Sequence, residues 1–243
     1  RVFYAGDITK PGSNAEYQLV DERIVGHAPK HLSIAESAAM PLTALTAWET
    51  LFDRMRVSTE KDKGKSVLII GGAGGVGSIA IQLAKRIAGL TVLASASRPE
   101  TQNWCKDFGA DYVVNHYDLV NEVHNSGFQQ VDFILDFVNT GSYWDAMVEL
   151  IKPQGHIASI TGASEPVDLN KLKSKSVSFS WEFMYTRPMF ETDDMEEQHR
   201  ILNEVARLLD EGTLRTTLKQ TFNGLSAENF KKAHAMLESG KTI

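Results

Sequence analysis

The apolar positions of this chain fall into two alternating patterns over most of its length. Largely apolar runs predict buried strands at 67–70, 91–95, 112–115, 131–136 and 156–160. Helical spacing predicts helices that follow these strands, at 77–87, 99–108, near 118–125 and at 142–151. Strands that are apolar on both faces and alternate with helices indicate an α/β fold with a doubly wound parallel sheet.

The residues that flank this region predict other elements. Residues 15–29 alternate between apolar and polar, which is typical of a half-buried strand. Ser33, with Glu36 three residues later, has the pattern of a capped helix start, and helical spacing follows over 43–55. The remaining predictions are a β-like run at 176–184, a long helix at 194–211, renewed alternation at 213–222 and a helix ending at Gly240.

The change of pattern after Gly212 predicts a division into domains. We expect residues 43–212 to form one domain, and residues 1–42 and 213–243 to belong together to a second one. The sequence starts within a strand pattern without an initiator methionine and stops just after a helix, so we expect a fragment of a longer protein.

Composition and charge exclude several classes of function. The chain is 42% hydrophobic and 23% charged, as is usual for a water-soluble protein. A net charge of −6 argues against a nucleic-acid partner, and no apolar run reaches the roughly 18 residues of a membrane span. The single cysteine, Cys105, cannot form an internal disulfide, so a reducing, cytoplasmic location is the simplest interpretation.

The glycine-rich turn after the first buried strand is the clearest sign of chemistry. The spacing Gly72-x-Gly74-x-x-Gly77 joins a strand to a helix, the context in which this motif indicates a dinucleotide site. Gly72 permits a tight turn, Gly74 leaves room for a pyrophosphate, and Gly77 lets the helix pack on the sheet. The helix amides would then face the phosphates. A tight turn without a ligand is the alternative.

The end of the second strand indicates which dinucleotide is bound. NAD-binding proteins place a carboxylate near this position for the ribose 2′-hydroxyl, whereas Ala96 is followed here by Ser97 and Arg98. A hydroxyl and a guanidinium suit a 2′-phosphate, so we predict NADP(H), with a solvated helix-start arginine as the alternative. His116, at the end of the third strand, is either a wall of the adenosine site or a surface histidine.

Five segments together resemble the medium-chain dehydrogenase/reductase superfamily. They are ESAAMPLTALTAWETL, VLIIGGAGGVGSIAIQLAK, FGADYVVNH, DFILDFVNT and QGHIASITG, which occur in the family's order and extend the resemblance over nearly the whole chain. The nearest branch is that of the quinone-oxidoreductase-like, or zinc-type alcohol dehydrogenase-like, proteins. The resemblance implies a Rossmann dinucleotide-binding domain at 43–212, with 1–42 and 213–243 as parts of a GroES-like β-rich catalytic domain.

The resemblance also implies positions for the cofactor. The residues that match the pyrophosphate loop are Gly72, Ala73, Gly74, Gly75, Val76 and Gly77, and those that match the adenosine phosphate site are Ser97, Arg98 and His116. The residues that match positions near the nicotinamide are Thr46, Phe137, Val138, Ile160 and Thr161. No catalytic acid is identified, and Asp136 is interpreted mainly as a structural residue that bonds the backbone and nearby side chains.

A zinc ion is not expected from these residues. The resemblance places the last catalytic zinc ligand of the family at Leu42, which cannot bind metal. No C-x-x-C pair occurs in this sequence, although the resemblance implies that the structural zinc lobe lies in a segment that precedes it. Without a Lewis acid, the chemistry that remains is hydride delivery to an electrophilic acceptor, a quinone or an α,β-unsaturated carbonyl. A zinc-dependent alcohol dehydrogenase with unusual ligands and a non-catalytic NADPH-binding protein are the alternatives.

An aromatic run at 178–190 predicts a contact between copies of the chain. The resemblance implies that this edge strand pairs across a two-fold axis, and aromatic residues on an exposed edge need cover. We therefore expect a homodimer through residues 176–186, with a loop packed on its own core as the alternative.

Overall fold

The computed structural model describes residues 1–240. Its strands are β1 Val2–Phe3, β2 Gly26–His27, β3 Ser66–Ile70, β4 Thr91–Ser95, β5 Tyr112–Val114, β6 Val131–Asp136, β7 Ile151–Ser159 and β8 Ser178–Trp181. Its helices are α1 Ile34–Ala38, α2 Pro41–Trp48, α3 Gly75–Gln82, α4 Pro99–Phe108, α5 Leu119–Asn125, α6 Thr140–Leu150, α7 Asn170–Lys173, α8 Thr186–Phe190, α9 Glu197–Asp210 and α10 Ala227–Glu238. Helices α2 and α3 continue as π-helical segments, over Glu49–Arg54 and Leu83–Ile87 respectively.

The chain divides into two compact units. One comprises Thr46–Phe183, and the other comprises Arg1–Leu45 together with the residues from Met184 onward. These boundaries differ from the predicted 43–212 because α9 contacts β2 and the short 3₁₀ turn at Glu22–Ile24, and so belongs with the outer segments. The assignment of those segments to a GroES-like domain stays a prediction, and the end of the predicted segment 213–243 lies outside the described residues.

The unit Thr46–Phe183 is built around a six-stranded sheet in the order β5-β4-β3-β6-β7-β8. All neighbouring strands are parallel. From β3 the chain adds β4 and β5 on one side of the sheet, and it then crosses to the other side of β3 to add β6, β7 and β8. The strand order therefore reverses between β3 and β6, and folds of this kind bind ligands in the crevice at the carboxyl ends of these two strands. The predicted doubly wound parallel α/β sheet is confirmed.

Burial of apolar side chains on both faces explains why the strands read as continuous apolar runs. The four residues at 67–70 of β3 are fully buried, and Ile134 of β6 and Ile157 of β7 pack in one cluster with Trp144 and Met147 of α6. Burying such side chains on folding contributes about 1.5–3 kcal/mol each. The buried strands therefore hold the ends of the loops at the edge of the sheet in fixed positions.

One stretch of alternating residues does not form the strand that alternation predicted. Residues 15–29 contain only the 3₁₀ turn and the two residues of β2, which pair antiparallel with β1. Tyr17 and Leu19 are 91% and 98% exposed, and within residues 1–240 no strand pairs with their segment. Residues 213–222, which also alternate but for which no strand was predicted, form neither helix nor strand. The prediction was wrong because alternation defines a face, whereas a strand also needs a neighbour for its backbone hydrogen bonds.

In the unit that comprises Arg1–Leu45 and the residues from Met184 onward, the capping patterns predicted helix starts correctly, whereas alternation did not predict a strand. The capping box predicted from Ser33 and Glu36 is present, with each side chain bonded to the other residue's backbone amide. Ser226 caps α10 in a similar way through the amide of Asn229. Among the described residues, none of the helices combines the length and the apolar character needed to cross a membrane.

Candidate functional site

The carboxyl edge of the six-stranded sheet collects most of the residues predicted to bind a cofactor. The loops that carry them are 71–77 after β3, 97–98 after β4, 116 after β5, 137–138 after β6 and 160–161 after β7. Because the strands are parallel, these loops all lie at the same edge. Thr46 belongs to α2 and not to one of these loops; it is buried, and its carbonyl oxygen accepts a hydrogen bond from Thr50 Oγ1 (2.6 Å).

The glycines of the turn differ in how much space surrounds them. A Cβ on Gly72 would lie 2.8 Å from the Ala94 Cβ, and a Cβ on Gly77 would lie 2.2 Å from the carbonyl oxygen of Gly71. Packing therefore requires glycine at both positions. A Cβ on Gly74 would meet only the Gly71 carbonyl oxygen, at 3.4 Å. The bare backbone at Gly74 is not needed by the protein's own packing and suits a ligand that approaches closely.

The tight turn itself is made by Gly71 rather than by Gly72, the residue to which the sequence analysis assigned it. Gly71 has a φ of +87°, a conformation that glycine adopts readily. Ser95, at the end of β4, holds the turn: its hydroxyl accepts from the Gly71 amide (2.9 Å) and its carbonyl accepts from the Gly72 amide (3.1 Å). The sheet thus fixes the backbone on which the loop is built.

The start of α3 is open to an external acceptor. Gly74 is the N-cap residue, and it has no side chain to accept hydrogen bonds from the first turn. Ser78 fixes the turn from the other side, since its hydroxyl donates to the Gly74 carbonyl oxygen (2.8 Å) and accepts from Trp104 Nε1 (2.8 Å). The amides of the first turn and the positive end of the helix dipole are thereby available to an anion.

The end of β4 carries the residues that were predicted to select NADP(H). Ala96 is buried, Ser97 and Arg98 are half-buried, and Arg98 is the N-cap of α4. The Arg98 amide donates to Thr101 Oγ1 (3.2 Å), which donates in turn to the Arg98 carbonyl oxygen (2.8 Å). His116 is half-buried, with its ring centroid 4.4 Å from that of Tyr117.

The last residue of β6 is a buried acidic residue, Asp136. Asp136 is fully buried, and its Oδ1 accepts hydrogen bonds from the amides of Val138 (3.0 Å) and Asn139 (3.2 Å). Its Oδ2 accepts from the hydroxyls of Thr140 (3.0 Å) and Ser159 (3.0 Å). The interpretation of Asp136 as a residue that bonds the backbone and neighbouring side chains is confirmed.

Two hydroxyl residues that the sequence analysis missed extend this network from β6 to β7. Thr140 Oγ1 and Ser159 Oγ are 2.6 Å apart, and Thr140 Oγ1 also contacts the carbonyl oxygen of Thr161. Both residues are fully buried. For Ser159, the available signal was a hydroxyl residue at the end of an apolar strand. The network joins the turn at 137–139 to the turn at 160–161.

Thr161 offers one more polar group at this edge. Its Oγ1 is buried and has no hydrogen-bond partner within residues 1–240. A buried hydroxyl without a partner costs free energy, and a polar group of a ligand would remove that cost.

The donor set of the described residues does not fit a zinc centre. Within residues 1–240, no group of three or more His, Cys, Asp or Glu side chains is placed to hold a metal ion. Leu42, at the position implied for a ligand, is 43% exposed and apolar. Cys105 is buried in α4, and burial raises the pKa of its thiol to about 12, which disfavours the thiolate that zinc requires.

Comparisons with known proteins show the family to which the chain belongs. The family model for zinc-binding dehydrogenases matches residues 75–200. A zinc-type alcohol dehydrogenase-like protein of Staphylococcus aureus (strain MSSA476) is 49% identical over 245 residues, which cover 100% of this chain and 73% of that protein. An NADPH-dependent alkenal/one oxidoreductase of Arabidopsis thaliana is 36% identical over 155 residues, or 64% of this chain and 37% of that protein.

The solved structures extend the likeness to the fold. A protein from Rhizobium etli CFN 42, assigned to the zinc-dependent alcohol dehydrogenases, matches with a TM-score of 0.94 and 49% identity, and covers 99% of this chain and 71% of that one. The chain therefore belongs to the zinc-binding dehydrogenase family, within the zinc-type alcohol dehydrogenase-like branch of the medium-chain dehydrogenase/reductase oxidoreductases.

Proposed function

We propose that this oxidoreductase binds NADP(H) along the carboxyl edge of its sheet and reduces quinones or α,β-unsaturated carbonyl compounds without zinc. The observation that carries the proposal is the bare backbone at Gly74 beside the uncapped start of α3. A pyrophosphate is the ligand group that needs both features, because it is bulky at close range and accepts several amide hydrogen bonds.

The preference for NADP(H) rests on the end of β4. A 2′-phosphate would be repelled by the carboxylate that NAD sites place there, and this chain has Ser97 and Arg98 instead. Arg98 is the N-cap residue of α4, so an arginine and the positive end of a helix dipole both follow the end of β4. The name of the Arabidopsis relative, which includes NADPH, supports the same cofactor.

The ends of β6 and β7 would hold the reactive half of the cofactor. When bound, the nicotinamide supplies a hydride to the acceptor. Phe137 and Val138 offer apolar surface to the ring, and the buried Thr161 Oγ1 offers a hydrogen bond to a polar group. The residues thus orient the ring and keep water from it, which is the protein's part in such chemistry. The alkenal/one substrate class in the relative's name supports an activated alkene as the acceptor.

A zinc-dependent alcohol dehydrogenase is the second candidate. The names of the Staphylococcus and Rhizobium relatives favour it. The donor set of residues 1–240 opposes it, since the position implied for a ligand is Leu42 and no three-residue metal group is present there.

Two measurements on the same purified protein distinguish the candidates. The first is zinc content, and the second is nucleotide turnover, with NADPH against a panel of quinones and enals and with NADP⁺ against a panel of alcohols. NADPH oxidation by enals or quinones in protein free of zinc would support the proposal. Alcohol oxidation that depends on one bound zinc per chain would establish the second candidate. Tight NADPH binding without turnover of any compound would indicate a non-catalytic nucleotide-binding protein.

A further inference from the structure

No cation among residues 1–240 pairs with the buried carboxyl group of Asp136. Its side chain is fully buried, and none of the ion pairs among residues 1–240 includes it. The amides of Val138 and Asn139 donate to its Oδ1, and the hydroxyls of Thr140 and Ser159 lie 3.0 Å from its Oδ2, an environment of donors that favours a carboxylate. Glu182, which is also buried, differs because Arg54 Nε lies 2.7 Å from its carboxylate.

The charge lies on the side of the sheet where a cation could complement it. The glycine turn after β3 divides a bound dinucleotide, so that one half lies over β4 and β5 and the other over β6 and β7. Arg98 and His116 belong to the first side, and Asp136 ends β6 on the second. Its charge acts on its surroundings: after burial, it is the next cause that raises the pKa of Tyr143.

We propose that the buried charge of Asp136 makes the protein favour the oxidised nicotinamide over the reduced one, an inference that rests on the proposed function. Loss of a hydride, which is one proton and two electrons, converts the neutral reduced ring into a ring of charge +1. A fixed carboxylate in a medium of low dielectric constant stabilises that positive charge and leaves the neutral ring almost unaffected. Asp136 acts from below the turn at 137–139, so it is a positioning residue that sets the local field and not a catalytic residue.

Asp136→Asn tests the charge with little change of shape. The amide oxygen can still accept from the amides of Val138 and Asn139, and the amide nitrogen can donate to the hydroxyl oxygens of Thr140 and Ser159. Those hydroxyls can rotate to use the carbonyl oxygens beside them. Asp136→Ser is a second neutral variant, whose hydroxyl can accept from the amide two residues later.

Asp132→Asn is the matched control. Asp132 lies on the same strand, four residues earlier and therefore about 13 Å from the carboxyl edge. Its carboxylate is bonded to Ser66 and pairs with Lys152 Nζ (3.0 Å), so its charge is balanced and distant.

The experiment measures the dissociation constants of NADP⁺ and NADPH for each variant by calorimetry, with thermal unfolding to establish that each variant is folded. We expect the ratio of the NADP⁺ constant to the NADPH constant to rise about tenfold in Asp136→Asn and Asp136→Ser, which corresponds to about 1.4 kcal/mol of stabilisation by the charge. The ratio should stay at the wild-type value in Asp132→Asn.

The possible results distinguish failure of this inference from failure of the proposed function. A ratio that is the same in the wild type and in the folded neutral variants, with both nucleotides bound, overturns the inference and leaves the proposed function in place. A ratio that shifts equally in Asp132→Asn also overturns it, because the effect would not be local. Failure of the wild type to bind either nucleotide overturns the proposed function and this inference together.

Discussion

Replacing Gly74 by aspartate should leave folding intact while it abolishes dinucleotide binding. Gly74 has φ −71° and ψ 170°, angles that any residue adopts, and its added Cβ would meet only the Gly71 carbonyl oxygen at 3.4 Å. Aspartate is a preferred N-cap residue, and its charge at the helix start contributes about 0.3–1 kcal/mol. We therefore expect the free energy of unfolding to stay constant or to rise by about 1 kcal/mol.

The effect on binding should be large and opposite in sign. A carboxylate about 4 Å from one phosphate charge, at an effective dielectric constant of 20, costs about 4 kcal/mol, or roughly a thousandfold in the dissociation constant. Gly74→Asn has nearly the same size and also caps helices well, but it is neutral. Gly74→Asn should therefore weaken dinucleotide binding only because its side chain overlaps the ligand and occupies amides that would bind the pyrophosphate. The difference between the two variants is therefore the contribution of charge.

Gly77→Ala should instead lower the free energy of unfolding. Its Cβ would lie 2.2 Å from the Gly71 carbonyl oxygen and 2.8 Å from the Gly72 Cα, so backbone must move. Overpacking of this kind costs about 1–3 kcal/mol, which exceeds the roughly 1 kcal/mol that alanine gains over glycine in a helix.

Urea unfolding and NADPH fluorescence titration measure the two quantities on all three variants. Wild-type NADPH affinity in folded Gly74→Asp would refute the assignment of the pyrophosphate to this turn. Unfolding of both Gly74 variants would refute the packing argument.

Four further predictions concern separate parts of the molecule. Arg98→Ala should weaken NADPH binding more than NADH binding, by about 1–3 kcal/mol, and equal losses in titrations would point to a structural arginine. Cys105 should resist alkylation at about pH 8 in the native state and react fully in denaturant, because burial raises the pKa of its thiol to about 12; mass spectrometry that finds rapid native labelling would contradict this burial. Burial opposes ionisation of Asp132, but hydrogen bonds from Ser66 and the nearby Lys152 outweigh it and lower its pKa, so its contribution to stability is present above the unfolded carboxyl pKa of about 3.9 and is lost as the pH falls through the lower folded value. Urea unfolding should accordingly find Asp132→Asn less stable than the wild type near pH 7, with the difference shrinking near pH 3, and a constant difference would argue against this linkage. Trp181→Glu, on the exposed edge strand β8, should convert the proposed homodimer to a monomer in light scattering, and an unchanged mass would place the interface elsewhere.

The elements with local signals were predictable to the residue. Helix α4 runs over 99–108 as predicted, because Pro99 suits its first turn and Gly109, with φ +114°, ends it in the left-handed conformation. Strand β4 also has its predicted bounds. In contrast, the strand expected at 15–29 depended on a partner strand, which is not a property of its own sequence.

The site was predictable where a single motif carries it and not where neighbouring strands create it. The spacing of the glycines indicated a phosphate loop, but the different constraints on Gly72 and Gly74 depend on where Ala94 lies across the sheet. Thr140 and Ser159 meet Asp136 only because β6 and β7 are paired in this register. Contacts that join residues far apart in sequence leave little trace in any one segment.

The hydrogen bond from Trp104 to Ser78 gives the loop an optical reporter. The indole nitrogen is bonded to the same hydroxyl that donates to the Gly74 carbonyl oxygen, so one side chain connects a fluorophore to the turn. The chain has three other tryptophans, Trp48, Trp144 and Trp181. With these replaced by phenylalanine, the emission of the remaining indole would follow occupancy of the turn in real time, for any compound and without a labelled nucleotide.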